Sequence, residues 1–282
     1  MPTRTITTLT VDHVASSTGP CGLDHEVRIS PYVVAEEGYC LAVRALDHKD
    51  VYNQLEGADG VALLTLGLPT LGQAQTAGGE LSLRPVTWER LLNAADEPEN
   101  WLMYSGTLDS QRFSRLDQIH NRNVGELTLK WAYQIPELDR AETTPLVVDG
   151  VMYITEPPSD ATALDLRTGR PLWRYRRSLP QGIVTCCGQV NRGVALLDER
   201  VFLGTVDAHL VSLDARTGRV IWDIEVADHS AGYAITVAPL ALDDKIIVGI
   251  AGGEYGIRGF LDAYDPVTGE RLWRFWTVPG PG

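Results

Sequence analysis

The clearest pattern along the chain is a motif that recurs three times in its second half. Each copy is a strand that ends in Asp, a turn with Thr-Gly, and a strand that contains Trp; the copies are 163–173, 212–222 and 263–273. Their tryptophans are 49 and 51 residues apart, and Trp131 ends a similar strand pattern 42 residues before the first of them. Asp and Thr side chains can bond backbone groups in such a turn, and Gly provides a positive φ. The motif therefore predicts a pair of strands joined by a tight turn.

Between the copies, short apolar runs predict two further strands in each repeat. They lie at 193–197 and 200–204 in the second repeat, and at 236–242 and 245–250 in the third. Four short strands over about 50 residues are typical of a β-propeller blade, and a Trp is large enough to wedge between neighbouring sheets. No segment keeps the 3.6-residue period of a helical solenoid. The predicted fold class is all-β, a partial β-propeller of about three four-stranded blades.

The part before the repeats predicts less regular structure. Apolar residues at helical spacing predict one short amphipathic helix within 86–95, and 101–116 has the composition of a loop. Residues 1–58 hold no copy of the repeat and stay unassigned, with short strands predicted at 26–29 and 39–46. The expected organisation has three parts: 1–58, 59–80 and 81–282.

Residues 60–75 resemble the apolar region and small-residue cleavage site of a secretory signal. The apolar part, 61–71, falls within the usual length of about 7–15 residues. The position is unusual, because 59 residues precede it. One interpretation is a signal remnant, with 1–58 derived from an upstream fusion or a misplaced start codon. The other is a buried strand and turn.

Composition excludes several classes of partner. The chain has 24 Lys and Arg against 37 Asp and Glu, a formal net charge of −13. Because an acidic chain does not attract phosphate backbones or anionic lipid, no nucleic-acid partner is expected. No apolar run reaches the roughly 18 residues that span a bilayer, so no transmembrane segment is expected.

Two of the four cysteines, Cys186 and Cys187, are adjacent. The cysteine spacings match neither a zinc site nor a c-type haem site. Adjacent Cα atoms are about 3.8 Å apart, below the roughly 4.4–6.8 Å usual for a disulfide, so a bond between these two would be strained. Strain of that kind tends to occur at functional sites. The alternative is two reduced cysteines in a core strand.

Three strings in the repeat region resemble the pyrroloquinoline-quinone (PQQ)-dependent alcohol dehydrogenases, the methanol and ethanol dehydrogenase family. They are Cys-Cys-Gly-Gln-Val-Asn-Arg-Gly at 186–193, Ala-Gly-Gly-Glu-Tyr-Gly-Ile-Arg-Gly at 251–259, and Glu-Thr-Thr-Pro-Leu at 142–146. The resemblance covers about 85–282 and does not include 1–58. Trp repeats alone would be a weak signal, because non-enzymatic scaffolds also use them.

The resemblance implies a role for each residue of a cofactor site. Cys186 and Cys187 would form a vicinal disulfide against one face of the quinone, Arg192 would bind its carbonyl oxygens, and Glu254 would be a ligand of Ca²⁺ or a lanthanide. The other implied cofactor contacts are Glu142, Thr236, Ala251 (a serine in some family members), Gly252 and Gly253. Taken without the resemblance, Glu142 and Glu254 could be surface residues, Arg192 could form a salt bridge in a loop, and Thr236 could be an ordinary strand residue.

The implied reaction oxidises a small primary alcohol to an aldehyde by metal-assisted hydride transfer to the quinone. A cytochrome c-type protein would then accept the electrons, and the family and the signal-like segment both favour the periplasm. The resemblance also implies an eight-bladed propeller, with the second metal ligand and the catalytic base beyond residue 282. We therefore expect no catalytic residue within this chain, and expect it to be an N-terminal fragment that is inactive alone.

Three other functions are considered. The first is a non-catalytic propeller scaffold or assembly protein, which needs neither the cysteine pair nor Glu254. The second is a sugar or polyvinyl alcohol dehydrogenase with the same cofactor, although such relatives generally lack the paired cysteines. The third is a separate functional domain at 1–58.

Overall fold

The structure is a computed structural model that describes residues 83–135, 140–183, 185 and 188–280, together with the backbone of five short strands nearer the N-terminus. The signal-like segment 60–75 and the cysteine pair lie outside the described residues. These N-terminal strands are β1 (Thr10–His13), β2 (Val27–Ser30), β3 (Val33–Val34), β4 (Tyr39–Cys40) and β5 (Ala42–Val43). Strand β2 pairs antiparallel with β1, and β1 pairs parallel with β5. The predicted strands at 26–29 and 39–46 overlap β2, β4 and β5.

A short helix, α1 (Trp88–Leu92), precedes the repeats. The Thr87 hydroxyl caps it by accepting a hydrogen bond from Arg90 N at 3.3 Å. The helix is shorter than the predicted range 86–95, because the chain tightens after Leu92 into a 3-10 turn over Ala94–Asp96. The predicted loop 101–116 contains no helix or strand.

Three four-stranded antiparallel sheets follow, each with its strands in chain order, and confirm the predicted blades. They are preceded by β6 (Ala132–Tyr133), which directly follows Trp131 and pairs with β5. The first blade is β7 (Leu146–Val148), β8 (Val151–Glu156), β9 (Asp160–Asp165) and β10 (Pro171–Tyr175). The second is β11 (Ala195–Leu197), β12 (Arg200–Gly204), β13 (His209–Asp214) and β14 (Val220–Glu225). The third is β15 (Leu240–Leu242), β16 (Lys245–Gly249), β17 (Phe260–Tyr264) and β18 (Arg271–Trp276).

The recurring Asp-x-x-Thr-Gly turn has the predicted geometry. In the first blade, the Asp165 carboxylate accepts hydrogen bonds from the backbone N–H groups of Arg167 and Thr168 at 2.9 and 3.0 Å. Gly169 follows with φ +69° and donates its N–H to Asp165 O at 2.8 Å. Equivalent carboxylate bonds form in the turns of the second and third blades.

Trp131, Trp173 and Trp222 each pack on the turn of the blade that follows. The indole N–H donates to the carbonyl that follows the turn's Asp, and the ring covers the turn's Gly, where a Cβ would lie 2.3 to 3.1 Å from it. One blade is therefore fitted to the next by the same contact each time, as expected for radially packed sheets. The indole bonds are Trp131 Nε1 to Leu166 O (3.0 Å), Trp173 Nε1 to Ala215 O (2.9 Å) and Trp222 Nε1 to Pro266 O (3.3 Å).

The segment before the repeats is tied to the blades. Val86 exchanges both backbone hydrogen bonds with Asp198 of the second blade at 2.8 Å, and Trp101 does the same with Val147 of the first blade. The inner strands of the first two blades form part of the core, since every residue of β7, β8 and β11 is buried.

Candidate functional site

Three segments that lead into the innermost strands meet at one end of the blades; we call 142–145, 190–194 and 234–239 the lead-in segments. Thr144 N donates to Arg192 O at 3.0 Å, and Arg192 N donates to Thr236 O at 3.1 Å. The innermost strands of the blades run in the same direction, so their lead-in segments lie side by side. These two backbone bonds fix the positions of the first and third lead-in segments relative to Arg192 in the second.

Arg192 is the centre of this arrangement. Its Nη2 lies 2.8 Å from Glu142 Oε2 in the first lead-in segment, and its Nη1 donates to Thr236 Oγ1 at 3.0 Å in the third. The side chains of Arg192 and Glu142 are each 38% exposed, so the ion pair remains within reach of a ligand. A guanidinium has five N–H donors in a planar fork. Arg192 can therefore keep both contacts and still donate to a bound group.

A cleft of about 310 Å³ opens beside Arg192. Six of the residues that the sequence predicts for one site line this cleft, and Glu142 is joined to the cleft through Arg192. Tyr255 and Thr185 also line the cleft. The predicted site residues in its lining are Arg192, Thr236, Ala251, Gly252, Gly253 and Glu254.

The two glycines of the cleft differ in what they require. Gly252 has φ +124°, and a Cβ there would lie 2.0 Å from Gly232 O, so the fold itself demands glycine at this position. Gly253 meets nothing within 4 Å of an added Cβ, and its backbone faces open space. Packing is therefore a sufficient reason for glycine at Gly252, whereas no packing contact requires glycine at Gly253.

Glu254 lies in a 3-10 turn, Gly253–Tyr255, at the edge of the cleft and is exposed. The turn is held in place because Ala251 exchanges backbone hydrogen bonds with Ala234 at 2.7 and 3.0 Å. Within the described ranges no group of three or more His, Cys, Asp or Glu side chains could hold a metal. Among the described residues that line the cleft, Glu254 is the one carboxylate.

Sequence reasoning missed a buried hydrogen-bonded group behind the ion pair, formed by Thr143, Thr155 and Asn191. Asn191 Nδ2 donates to Gly204 O at 2.6 Å, and its Oδ1 accepts from Gly193 N at 3.1 Å. A signal for this group was present in the sequence. Asn191 directly precedes the arginine of the motif, and Thr155 follows the four largely apolar residues that begin β8.

Comparison with known proteins decides the family. A family model described as PQQ, the glucose/ethanol/alcohol dehydrogenase beta-propeller domain, matches residues 101–282. The chain belongs to this family. The resemblance drawn from the three sequence strings is thereby confirmed, as is the propeller fold.

Relatives of this quinoprotein chain include two proteins from Pseudomonas putida. Quinohemoprotein alcohol dehydrogenase ADH-IIG is 45% identical over 195 residues, which are 68% of this chain and 27% of the relative. Quinoprotein alcohol dehydrogenase PedH is 44% identical over 197 residues, 69% of this chain and 33% of the relative. The chain thus spans a third or less of the length of these relatives.

Solved quinoprotein structures have the same fold. The structure of ADHIIG from Pseudomonas putida HK5 has a TM-score of 0.66 and 42% identity over 72% of this chain and 30% of its own. A europium-containing methanol dehydrogenase has a TM-score of 0.64 and 37% identity over 67% of this chain and 34% of its own. No helix in the described part of this PQQ-family chain is long and apolar enough to cross a membrane.

Proposed function

We propose that this chain contributes one side of the PQQ site of an alcohol dehydrogenase that oxidises a primary alcohol to an aldehyde. The observation that carries the proposal is Arg192, held between Glu142 and Thr236 at the wall of a cleft. Family membership supplies the reaction class, and the alcohol dehydrogenases among the relatives supply the substrate class. The activity of the whole enzyme belongs to this proposal, because the chain covers only part of its relatives.

The residues of the cleft fit PQQ, a flat anionic quinone. A flat anion needs a cation near the plane of its oxygens, hydroxyl donors and an uncrowded wall. Arg192 provides the cation, Thr236 the hydroxyl, and Gly253 an open stretch of backbone. When bound, the quinone supplies the acceptor for the hydride of the alcohol.

The proposed task of Arg192 is to stabilise negative charge at the quinone oxygens. A fixed cation aimed at the position where charge develops requires no reorganisation during the reaction. Glu142 and Thr236 hold the guanidinium by two of its nitrogen atoms, Nη2 and Nη1, and so fix its plane. Hydrogen bonds to charged groups typically contribute about 1.5–3 kcal/mol. We do not assign proton abstraction to a residue of this chain.

The fit to a metal is partial. Ca²⁺ prefers six to eight oxygen ligands, and Glu254 is the one carboxylate among the described residues that line the cleft. We propose Glu254 as one ligand of Ca²⁺ or a lanthanide, the latter suggested by the europium-containing relative. Further ligands must complete the site, so no step of the reaction is derived through the ion.

Other parts of the proposal rest on the sequence. We propose that Cys186 and Cys187 form a vicinal disulfide beside the quinone, and that Ala251 and Gly252 line its pocket. The same proposal includes a cytochrome c-type electron acceptor and a periplasmic location, with 60–75 as a signal remnant. It also includes a propeller part that begins at residue 81. Mass spectrometry of the non-reduced chain tests the disulfide, which would lower the mass by two hydrogens.

Titration of PQQ into the 282-residue chain, with and without Ca²⁺ and followed by tryptophan fluorescence, tests the cofactor site. We expect Arg192→Ala to raise the Kd of PQQ at least tenfold, because at least about 1.4 kcal/mol of charged hydrogen bonding is lost. Arg219→Ala is the matched control, since Arg219 is an exposed arginine of the second turn, away from the cleft. We expect Glu254→Gln to remove any dependence of the Kd on Ca²⁺. Equal effects of the two arginine variants, or no binding by the unmodified chain, would contradict the proposal.

A further inference from the structure

The ion pair of the cleft depends on two separate chain segments, and one buried side chain contacts both of them. Thr155, the fifth of the six residues of β8, is 1% exposed. Its Oγ1 lies 3.0 Å from Thr143 Oγ1 and 3.0 Å from Asn191 O. Thr143 directly follows Glu142, and Asn191 directly precedes Arg192. A single hydroxyl therefore contacts a residue adjacent to each partner of the ion pair.

The geometry of this hydroxyl allows both contacts at once. A hydroxyl has one proton and two lone pairs. Asn191 O can only accept, so the Thr155 proton goes to it, and the contact with Thr143 uses the proton of the Thr143 hydroxyl. Thr155 N also donates to Thr143 Oγ1 at 2.8 Å. Thr143 and Thr155 are thus joined by two hydrogen bonds, and Asn191 is joined to them by a third.

The remaining bonds around Arg192 leave its backbone little freedom. Its N–H and its carbonyl are bonded to the neighbouring lead-in segments, and the Asn191 side chain fixes Gly193 N and reaches Gly204 O. Gly193 has φ +135°, and a Cβ there would lie 3.1 Å from Thr144 O. In contrast, the Arg192 side chain is 38% exposed. The direction of its guanidinium is therefore set by where the backbone anchors it and by its contacts with Glu142 and Thr236.

We propose that Thr155 is a positioning residue of the cofactor site. Its hydroxyl fixes the spacing between the Glu142 and Arg192 segments, and so holds the guanidinium in the plane that faces the cleft. Thr155 lies behind the ion pair and does not line the cleft, so it acts only through Arg192. The inference rests on the proposed function for the identity of the ligand, but the effect on Arg192 itself needs no ligand.

The test replaces Thr155 with Val, which keeps the β-branched shape and removes the hydroxyl. Thr162→Val is the matched control, because Thr162 is also 1% exposed in the first blade but bonds Glu156 and not the lead-in segments. Thr155→Ser is the rescue variant. Circular dichroism establishes that each variant is folded. If Thr155→Val does not fold, Thr143→Val replaces it, since that change removes the same link from the other side.

The first readout is the Nε–Hε NMR signal of Arg192 in the cofactor-free chain, assigned by its loss in Arg192→Lys. In the unmodified chain we expect a heteronuclear NOE typical of an ordered side chain. In Thr155→Val the NOE of the Arg192 signal should fall toward that of the exposed Arg219, whereas in Thr155→Ser and Thr162→Val the NOE should stay high. An unchanged Arg192 signal in Thr155→Val would overturn the inference.

The second readout is the Kd of PQQ in a double-mutant cycle. Thr155→Val should raise the Kd about tenfold, equivalent to about 1.4 kcal/mol, when Arg192 is present. In the Arg192→Ala background the same change should alter the Kd less than twofold. An equal factor in both backgrounds would show a merely structural role and overturn the inference. If the unmodified chain binds no PQQ, the proposed function fails, and the NMR readout alone decides the role of Thr155.

Discussion

Replacing Gly218 with Ala tests the contact that joins the first two blades. Gly218 has φ +70°, a conformation that costs an L-residue roughly 1–2 kcal/mol. A Cβ at this position would lie 2.5 Å from Cε3 of Trp173, whose indole is itself held by a bond to Ala215 O. The ring cannot move away without breaking that bond, and overpacking of this kind typically costs about 1–3 kcal/mol more. We therefore expect Gly218→Ala to lower the free energy of unfolding by roughly 2–5 kcal/mol.

Gly256→Ala is the control that separates the two contributions. Gly256 has φ +75° but meets nothing within 4 Å of an added Cβ, so it carries the backbone cost without the clash. Urea unfolding followed by circular dichroism gives both free energies. With a slope of about 2 kcal/mol per molar urea, the clash should separate the two midpoints by roughly 0.5–1.5 M. Coincident midpoints would refute the view that the indole is rigidly seated on the turn.

Two further predictions concern buried polar groups. Tyr133 donates to Oε1 of the buried Glu156 at 2.7 Å, so Tyr133→Phe should lower the free energy of unfolding by about 1–3 kcal/mol; an unchanged urea midpoint would contradict this. Burial alone would raise the pKa of Asp207, but hydrogen bonds from Arg177 outweigh burial and lower that pKa. Because the folded pKa lies below the unfolded value of about 3.9, this stabilisation is present above pH 4 and is lost as the pH falls through the folded pKa. Asp207→Asn should lower the free energy of unfolding by about 3 kcal/mol at pH 7, and this free energy should then fall less steeply as the pH is lowered. A fall as steep as that of the unmodified chain would contradict the role of Asp207.

The repeat made most of the propeller predictable from the sequence. Asp, Thr, Gly and Trp each have a local reason for their place in the motif, so their spacing located the outer strands of each blade closely. The inner strands were less well placed: the third repeat was predicted to begin a strand at residue 236, but β15 begins at Leu240. Residues 236–239 serve the site instead, with Thr236 bonded to Arg192. Apolar patterning does not distinguish a lead-in segment from the strand it enters.

The site was predictable only as a set of residue types. Motifs placed Arg192 and Glu254 in one cofactor site, but the sequence held no sign that Arg192 would pair with Glu142 at 2.8 Å. That contact depends on the spacing between two blades, which is a tertiary property. The packing reason for glycine at Gly252 was not predictable for a similar reason, because the carbonyl that excludes a side chain there comes from Gly232, 20 residues earlier.

The indole contacts and the candidate site occupy opposite ends of the blades. The chain runs from the lead-in segment at Thr144 through β7 to a turn at Asp149, a distance of about 16 Å at strand geometry. The indole contacts gather at the turn end, where Leu166 N also bonds Gly150 O, and the Arg192 pair lies at the other. Substitutions separated by more than about 7–10 Å usually have additive effects on stability. The turn end can therefore be altered to change the stability of the propeller, while the orientation of Arg192 is governed by the buried hydroxyl and backbone bonds beside it.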